Sequence, residues 1–110
     1  MQTRAKTRTL AELGLTARGG GEARVTGLSV DSRDVKEGYL FAALPGTRMH
    51  GAEFIQYALR MGAAAILTDA EGADIAKDDL AGSTAAVVIA ADPRQTLAFT
   101  AALWFEKQPD

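Results

Sequence analysis

Three short apolar runs separated by helix-like stretches restrict most strongly what this chain can become. Tyr39 to Leu44, Ala63 to Thr68 and Ala85 to Ala90 each span six residues dominated by Ala, Val, Ile, Leu and aromatic side chains. Their length and their bounding turn residues are those of buried strands. Between the first two, Glu53 to Met61 has helical spacing, with Phe54, Ala58 and Met61 on one face and Ile55 and Leu59 beside it. Gly62 is placed to end that helix as a left-handed cap. Strand, helix, strand in this order favours a right-handed parallel crossover. An earlier run, Arg24 to Val30, reads as a further strand with Val25 and Leu28 inward around an irregularity that Gly27 permits. A polar connection, residues 31–38, joins it to Tyr39. The expected fold class is α/β: a small mixed β-sheet packed with about three helices.

The flanks complete this outline. Thr9 to Leu15 suits a short helix with Leu10 and Leu13 on one side, and the triple glycine at 19–21 breaks it. Residues 1–21 are therefore expected to be an N-terminal helix and Gly-rich linker, with the domain proper over 22–110. The acidic stretch Asp69 to Asp79 has room for a short helix. Asp92 can cap the last helix, with Pro93 at its first position and Gln95 closing a capping box. Leu97, Ala101 and Trp104 then recur at helical spacing, with Phe105 adjacent. The chain stops at Gln108, Pro109 and Asp110, just past that helix, as at an interdomain boundary.

Composition excludes several functions. A length of 110 residues fits one domain with a modest core. The formal net charge of −2, without any Lys/Arg cluster, argues against nucleic acid as a partner, since counterion release needs a basic stripe. There is no Cys and only one His, so disulfides, thiolate metal sites and His-rich metal sites are excluded. The basic N-terminus runs into Leu10 to Leu13 rather than a signal-peptide apolar region, and Gly82 to Ala91 is far shorter than the roughly 20 residues of a membrane helix. No membrane partner is expected, and a reducing cytoplasm is compatible. No G-x-x-x-x-G-K-[ST] loop is present. His50 has no Ser or Cys nucleophile in a recognisable motif beside it. Asp74, Asp78 and Asp79 lack the spacing of a calcium loop and read as a solvated helix face. No catalytic residue and no metal site is assigned.

Two loops carry candidate binding chemistry, each with a plain structural alternative. Asp31, Ser32 and Arg33 sit where a strand ends, where Asp and Ser side chains bond nearby backbone N–H groups in tight turns. In a binding role, Ser32 offers a hydroxyl to a ligand while an Asp31–Arg33 pair fixes the loop. Gly46 to Gly51 is either a plain strand-to-helix connection or a segment presenting backbone N–H and C=O groups to a planar ligand. A uracil edge, with its acceptor, donor and acceptor, can be matched by a short exposed backbone segment plus a Ser hydroxyl. Arg48 is either a solvated surface Arg or a reach toward a diphosphate.

The run Asp31, Ser32, Arg33, then Val35, Gly38, Leu40, Phe41, Ala43 and Gly46, then Gly51 and Phe54, then Gly62 and Ala63, resembles the N-terminal domain of the Mur ligases of bacterial cell-wall synthesis. The resemblance covers residues 24 to about 108 and is closest to the ligase that adds the third residue to the UDP-N-acetylmuramoyl peptide. It implies that this domain holds the uridine diphosphate end of UDP-N-acetylmuramoyl-L-alanyl-D-glutamate. The implied contacts are Val30 and Ser32 from the first loop and Thr47, Arg48 and Met49 from the second. Two positions depart from the pattern: Tyr39 stands where the family has Asp, and His50 where Asp is common.

The resemblance further implies ATP and Mg2+ as cofactors of a full-length cytoplasmic enzyme. ATP would phosphorylate the substrate carboxylate, and the amine of the incoming amino acid, diaminopimelate or lysine, would attack the acyl phosphate. That machinery belongs to central and C-terminal domains absent from this chain, which are its implied partners, so this piece alone is expected to bind and not catalyse. The alternatives are the related ligase that adds D-alanyl-D-alanine, or a stand-alone interaction domain using the edge of the Val25 to Val30 strand.

Overall fold

The computed structural model describes residues 7–17 and 23–106. Strands β1 (Arg8–Thr9) and β2 (Arg24–Val25) form an antiparallel pair. Strands β3 (Gly27–Ser29), β4 (Tyr39–Ala42), β5 (Ala65–Thr68) and β6 (Ala86–Ile89) form a second sheet, ordered as in the sequence and parallel throughout. Helix α1 (Ile55–Arg60) joins β4 to β5, α2 (Ala70–Ile75) and α3 (Lys77–Ala81) join β5 to β6, and α4 (Pro93–Glu106) follows. The α/β class and the mixed strand directions agree with the expectation, with four α-helices among the described residues rather than three.

Parallel strands bury both faces, and alternation along each strand divides the core into two. Leu40, Ala42, Ala65, Leu67, Ala86 and Val88 belong to one cluster with Trp104 of α4. Phe41, Ala43 and Ile66 belong to the other, under Ile55 and Ala58 of α1 and Ala76. Successive residues thus face opposite layers, and the sheet sits between two helical covers.

The segment assigned to an N-terminal helix behaves differently. Thr9 is in a strand, and its N–H donates to Glu12 Oε1 (2.8 Å) while Glu12 N–H donates back to Thr9 Oγ1 (3.2 Å). That reciprocal pair starts a turn, which Gly14 ends with φ of 74°. The expected helix over Thr9 to Leu15 is therefore a single turn. Leu10, Leu13 and Leu15 are buried in the same cluster as Leu40 and Leu67, so the turn caps one face of the sheet. The proposed glycine linker lies outside the described residues.

The single strand expected over Arg24 to Val30 divides at Thr26. Thr26 N–H donates to Gly38 O (2.9 Å) and its Oγ1 to Glu37 O (3.0 Å), which turns the chain from the antiparallel pair into the parallel sheet. The helix begins as a short 3₁₀ turn, Gly51–Phe54, before α1. Of the expected face Ala58 is buried, now beside Ile55, while Phe54 and Met61 are exposed rather than inward. Gly62 does end the helix, with φ of 99° and its N–H on Leu59 O.

Helix α4 holds one poorly satisfied group. Thr100 is fully buried and its Oγ1 lacks a hydrogen-bond partner among the described residues. A buried orphan hydroxyl costs free energy that an isosteric methyl avoids. Thr100→Val is expected to raise unfolding stability by about 1 kcal/mol, read as a higher urea midpoint at unchanged m-value; a lower midpoint would show that the hydroxyl has a partner.

Candidate functional site

The crossovers of a parallel sheet put the connections that leave its strands at one edge, where open α/β sheets hold ligands. Four connections leave from that edge: 30–34 after β3, 43–50 after β4, Asp69 after β5 and 90–92 after β6.

The first loop is set by side-chain bonds to its own backbone. Ser29 Oγ donates to Asp31 O (2.8 Å) and accepts from Asp31 N–H (3.0 Å). Asp31 Oδ1 accepts from Arg33 N–H (2.9 Å) and Nε (3.0 Å), and Oδ2 from Nη2 (2.7 Å). The Arg33 guanidinium, then its backbone N–H, hold the Asp31 carboxyl down at about 2. Ser32 is enclosed at 9% exposure with no side-chain hydrogen bond among the described residues, and lines an open cleft with Val30, Arg33, Phe54 and Tyr57.

The second loop is pinned at both ends. Gly51 N–H donates to Leu44 O (2.8 Å), Thr68 Oγ1 to Ala43 O (2.9 Å), and Arg94 Nη2 at the start of α4 to Pro45 O (2.6 Å). Thr47, Arg48 and Met49 are exposed between these anchors. They line a second cleft with His50, Glu53 and Glu71. The sequence-assigned residues thus fall into two groups: Val30 and Ser32 share one cleft, and Thr47, Arg48 and Met49 the other. The Gly51–Phe54 turn runs between them, giving Glu53 to the second cleft and Phe54 to the first.

His50 locks the second loop to α2. Its Nδ1 accepts from Ala52 N–H (2.9 Å), which puts the ring proton on Nε2, and that nitrogen donates to Asp69 Oδ1 (2.8 Å). Oδ1 also accepts from Gly72 N–H (2.8 Å). Burial pushes the Asp69 carboxyl up, but the bonds from Gly72 and His50 outweigh it and leave the group below its ordinary value. Gly72 is required here: a Cβ would collide with Thr68 Oγ1 and come within 2.7 Å of the His50 ring. An Asp at position 50 can accept from the same N–H, which explains how His50 departs from the family pattern while keeping the turn.

His50, Asp69 and Glu71 bring donor atoms within 4.8 Å of one another. The set does not fit a metal ion. Metal on Nε2 would move the ring proton to Nδ1, where Ala52 N–H already points.

The residues that sequence reasoning missed are Asp69, Phe54 and Tyr57. In the sequence Asp69 is only the start of an acidic stretch with room for a short helix; in the fold it caps α2 through Gly72 N–H. Phe54 carried a signal, its apolar character, that pointed to the core instead.

An α/β domain with exposed loops at the carboxyl edge of its parallel sheet is the class that this geometry defines. The chain belongs to the Mur ligase family: residues 24–104 match the family described as "Mur ligase family, catalytic domain". A relative from Streptomyces coelicolor, named UDP-N-acetylmuramoyl-L-alanyl-D-glutamate--2,6-diaminopimelate ligase, is 50% identical over 82 residues, 74% of this chain and 15% of its own length. A ligase of the same name from Brucella melitensis is 42% identical over 90 residues, 82% of this chain and 17% of its own. The chain therefore spans under a fifth of the length of these relatives. Among solved structures, MurF from Acinetobacter baumannii superposes with a TM-score of 0.65 at 20% identity, covering 90% of this chain and 21% of that one. That likeness establishes the fold.

Two outcomes follow from these contacts. His50→Ala is expected to cost about 1–3 kcal/mol of stability, because it strands the Ala52 N–H and removes a donor from Asp69; denaturant unfolding measures it. Asp31, whose pKa is lowered, contributes stability that is present above the ordinary carboxylate range and lost as pH falls through about 2. Carboxyl 13C titration is expected to find Asp31 ionised where exposed carboxylates have protonated, and Arg33→Ala to raise its pKa only part of the way back, since the backbone N–H at position 33 still donates.

Proposed function

We infer that this domain holds the uridine diphosphate end of UDP-N-acetylmuramoyl-L-alanyl-D-glutamate for a cytoplasmic, ATP-dependent ligase that adds the third residue of the peptide, with diaminopimelate as that residue. The observation that carries the reading is the coincidence of two independent facts. The positions that match the family motif are the ones the fold leaves available at the carboxyl edge: the Ser32 hydroxyl, without a partner among the described residues, exposed Val30, and exposed Thr47, Arg48 and Met49. The names of the relatives support the third-residue ligase over the one that adds D-alanyl-D-alanine.

In this reading the domain binds and does not catalyse. Thr47, Arg48 and Met49 present backbone groups, and Arg48 supplies a cation for the diphosphate. ATP, Mg2+ and the acyl-phosphate step belong to the central and C-terminal domains of the longer enzyme.

A second reading, an interaction domain, has one observation in its favour. Strand β3 is an edge strand of the four-stranded sheet, beside an apolar groove of about 480 Å³ lined by Leu28, Leu97, Ala101, Trp104 and Phe105. Strand addition at such an edge is a known mode of peptide recognition.

Amide NMR during titration with UDP separates the two. Saturable shifts confined to residues 28–33 and 46–51, weakened in Ser32→Ala, are expected. Shifts that instead follow β3 and α4, or no shift at millimolar UDP, would overturn the UDP-holding role.

A further inference from the structure

The cleft beside Ser32 has a wall that the motif resemblance does not account for. Phe54 and Tyr57 both line it, with volume of about 730 Å³ in common with Val30, Asp31, Ser32 and Arg33. Volumes of this order are usual for small-molecule sites. The two rings are 43% and 44% exposed, whereas the neighbouring Ile55 and Ala58 of the same helical segment are fully buried. The helix therefore has a satisfied core face and, separately, an aromatic face turned to the cleft.

The polar groups of the cleft are equally particular. Ser32 is more than nine-tenths buried, yet its hydroxyl has no partner among the described residues. The residue is largely enclosed but its Oγ is still reached by water, so the hydroxyl is a free donor and acceptor at the cleft that a ligand can engage. Arg33 is held by both oxygens of Asp31, so the cleft contains a self-neutralised pair rather than a spare cation. Arg48 in the adjoining cleft is exposed, with no ion-pair partner among the described residues. The first cleft thus suits a neutral planar ring, and in the second, which Glu53 and Glu71 also line, Arg48 is the cation on offer to an anion. The groove between β3 and α4 offers no such set, since its Thr26 and Ser29 hydroxyls already donate to Glu37 O and Asp31 O.

We propose that Phe54 and Tyr57 are the ring-holding wall of the nucleotide site: the base packs against them with one edge at the Ser32 hydroxyl, and the diphosphate leaves toward Arg48. The inference rests on the UDP-holding reading and goes further by assigning two residues and the direction in which the nucleotide lies. Stacking on an aromatic side chain is sequence-tolerant, so Phe54 and Tyr57 would supply affinity for the ring, while the Ser32 hydroxyl and the backbone would supply the choice of base.

The test titrates the wild-type chain, Phe54→Leu and Tyr57→Leu with uridine, dihydrouridine and inorganic diphosphate, followed by amide NMR. Dihydrouridine keeps much of the hydrogen-bonding edge but loses the aromatic ring. Wild type is expected to prefer uridine; each Leu variant should weaken uridine about tenfold, bring it close to dihydrouridine, and leave diphosphate binding unchanged. Phe54→Trp, which keeps an aromatic face, should retain uridine binding. Variants that bind uridine as wild type does, with shifts still in the two loops, would overturn the aromatic wall and leave the UDP reading standing. Wild type that binds dihydrouridine as tightly as uridine would do the same without needing any variant to fold. Wild type that binds neither uridine here nor UDP in the titration that tests the UDP-holding role would overturn both.

Discussion

Parallel strands can be joined only through crossovers, and every crossover leaves from the same edge of the sheet. Here that constraint gathers the loops after β3, β4, β5 and β6 at one end of the domain. Both faces of the sheet must then be covered, by α1 with the α2–α3 segment on one side and by α4 with the Leu10 to Leu15 turn on the other. The loops are the part of the chain that the covers leave free. Their shape comes from a few polar bonds, some buried and one exposed. Thr68 reaches back to Ala43, Arg94 to Pro45, and His50 bridges Ala52 and Asp69. Each of these ties the loop after β4 to a different neighbouring element, which fixes a segment that has exposed residues at its centre.

Much of this fold was legible because its signals are local. Apolar six-residue runs gave the strands β4, β5 and β6, Gly62 gave the left-handed cap, and Asp92 with Pro93 gave the start of α4, where Asp92 Oδ1 accepts from Gln95 N–H (3.2 Å). Where tertiary pairing competes with local preference, the sequence misled. Thr9 and Glu12 form the reciprocal bonds of a helix start, yet Arg8 and Thr9 pair with β2 and Gly14 closes the turn. Phe54 and Met61 fit a helical stripe counted from Glu53, but the segment starts as a 3₁₀ turn, and the core takes Ile55 beside Ala58.

The candidate site divides in the same way. The Asp31–Arg33 pair could be read directly, because residues two apart in a tight turn are neighbours whatever the rest of the chain does. The His50–Asp69 bond could not, since its partners are separated by 19 positions and meet only because β4 and β5 are adjacent and in register. Nor could the aromatic face at Phe54 and Tyr57, which exists because α1 meets its core needs with other residues. The departure at His50 is accommodated by chemistry rather than by size: an imidazole nitrogen accepts the N–H that a carboxylate would, and the second nitrogen adds a bond to α2.

The central claim is that the carboxyl-edge loops, with the aromatic wall beside Ser32, hold a uridine nucleotide in one orientation. Isotope-filtered NOEs from the uracil ring protons of bound UDP to this chain test it most directly. The account predicts contacts to the Val30 methyl groups and the Phe54 ring, with none to Leu97 or Trp104. Ring-proton contacts to Leu97, Ala101 or Trp104, in the groove between β3 and α4, would contradict it.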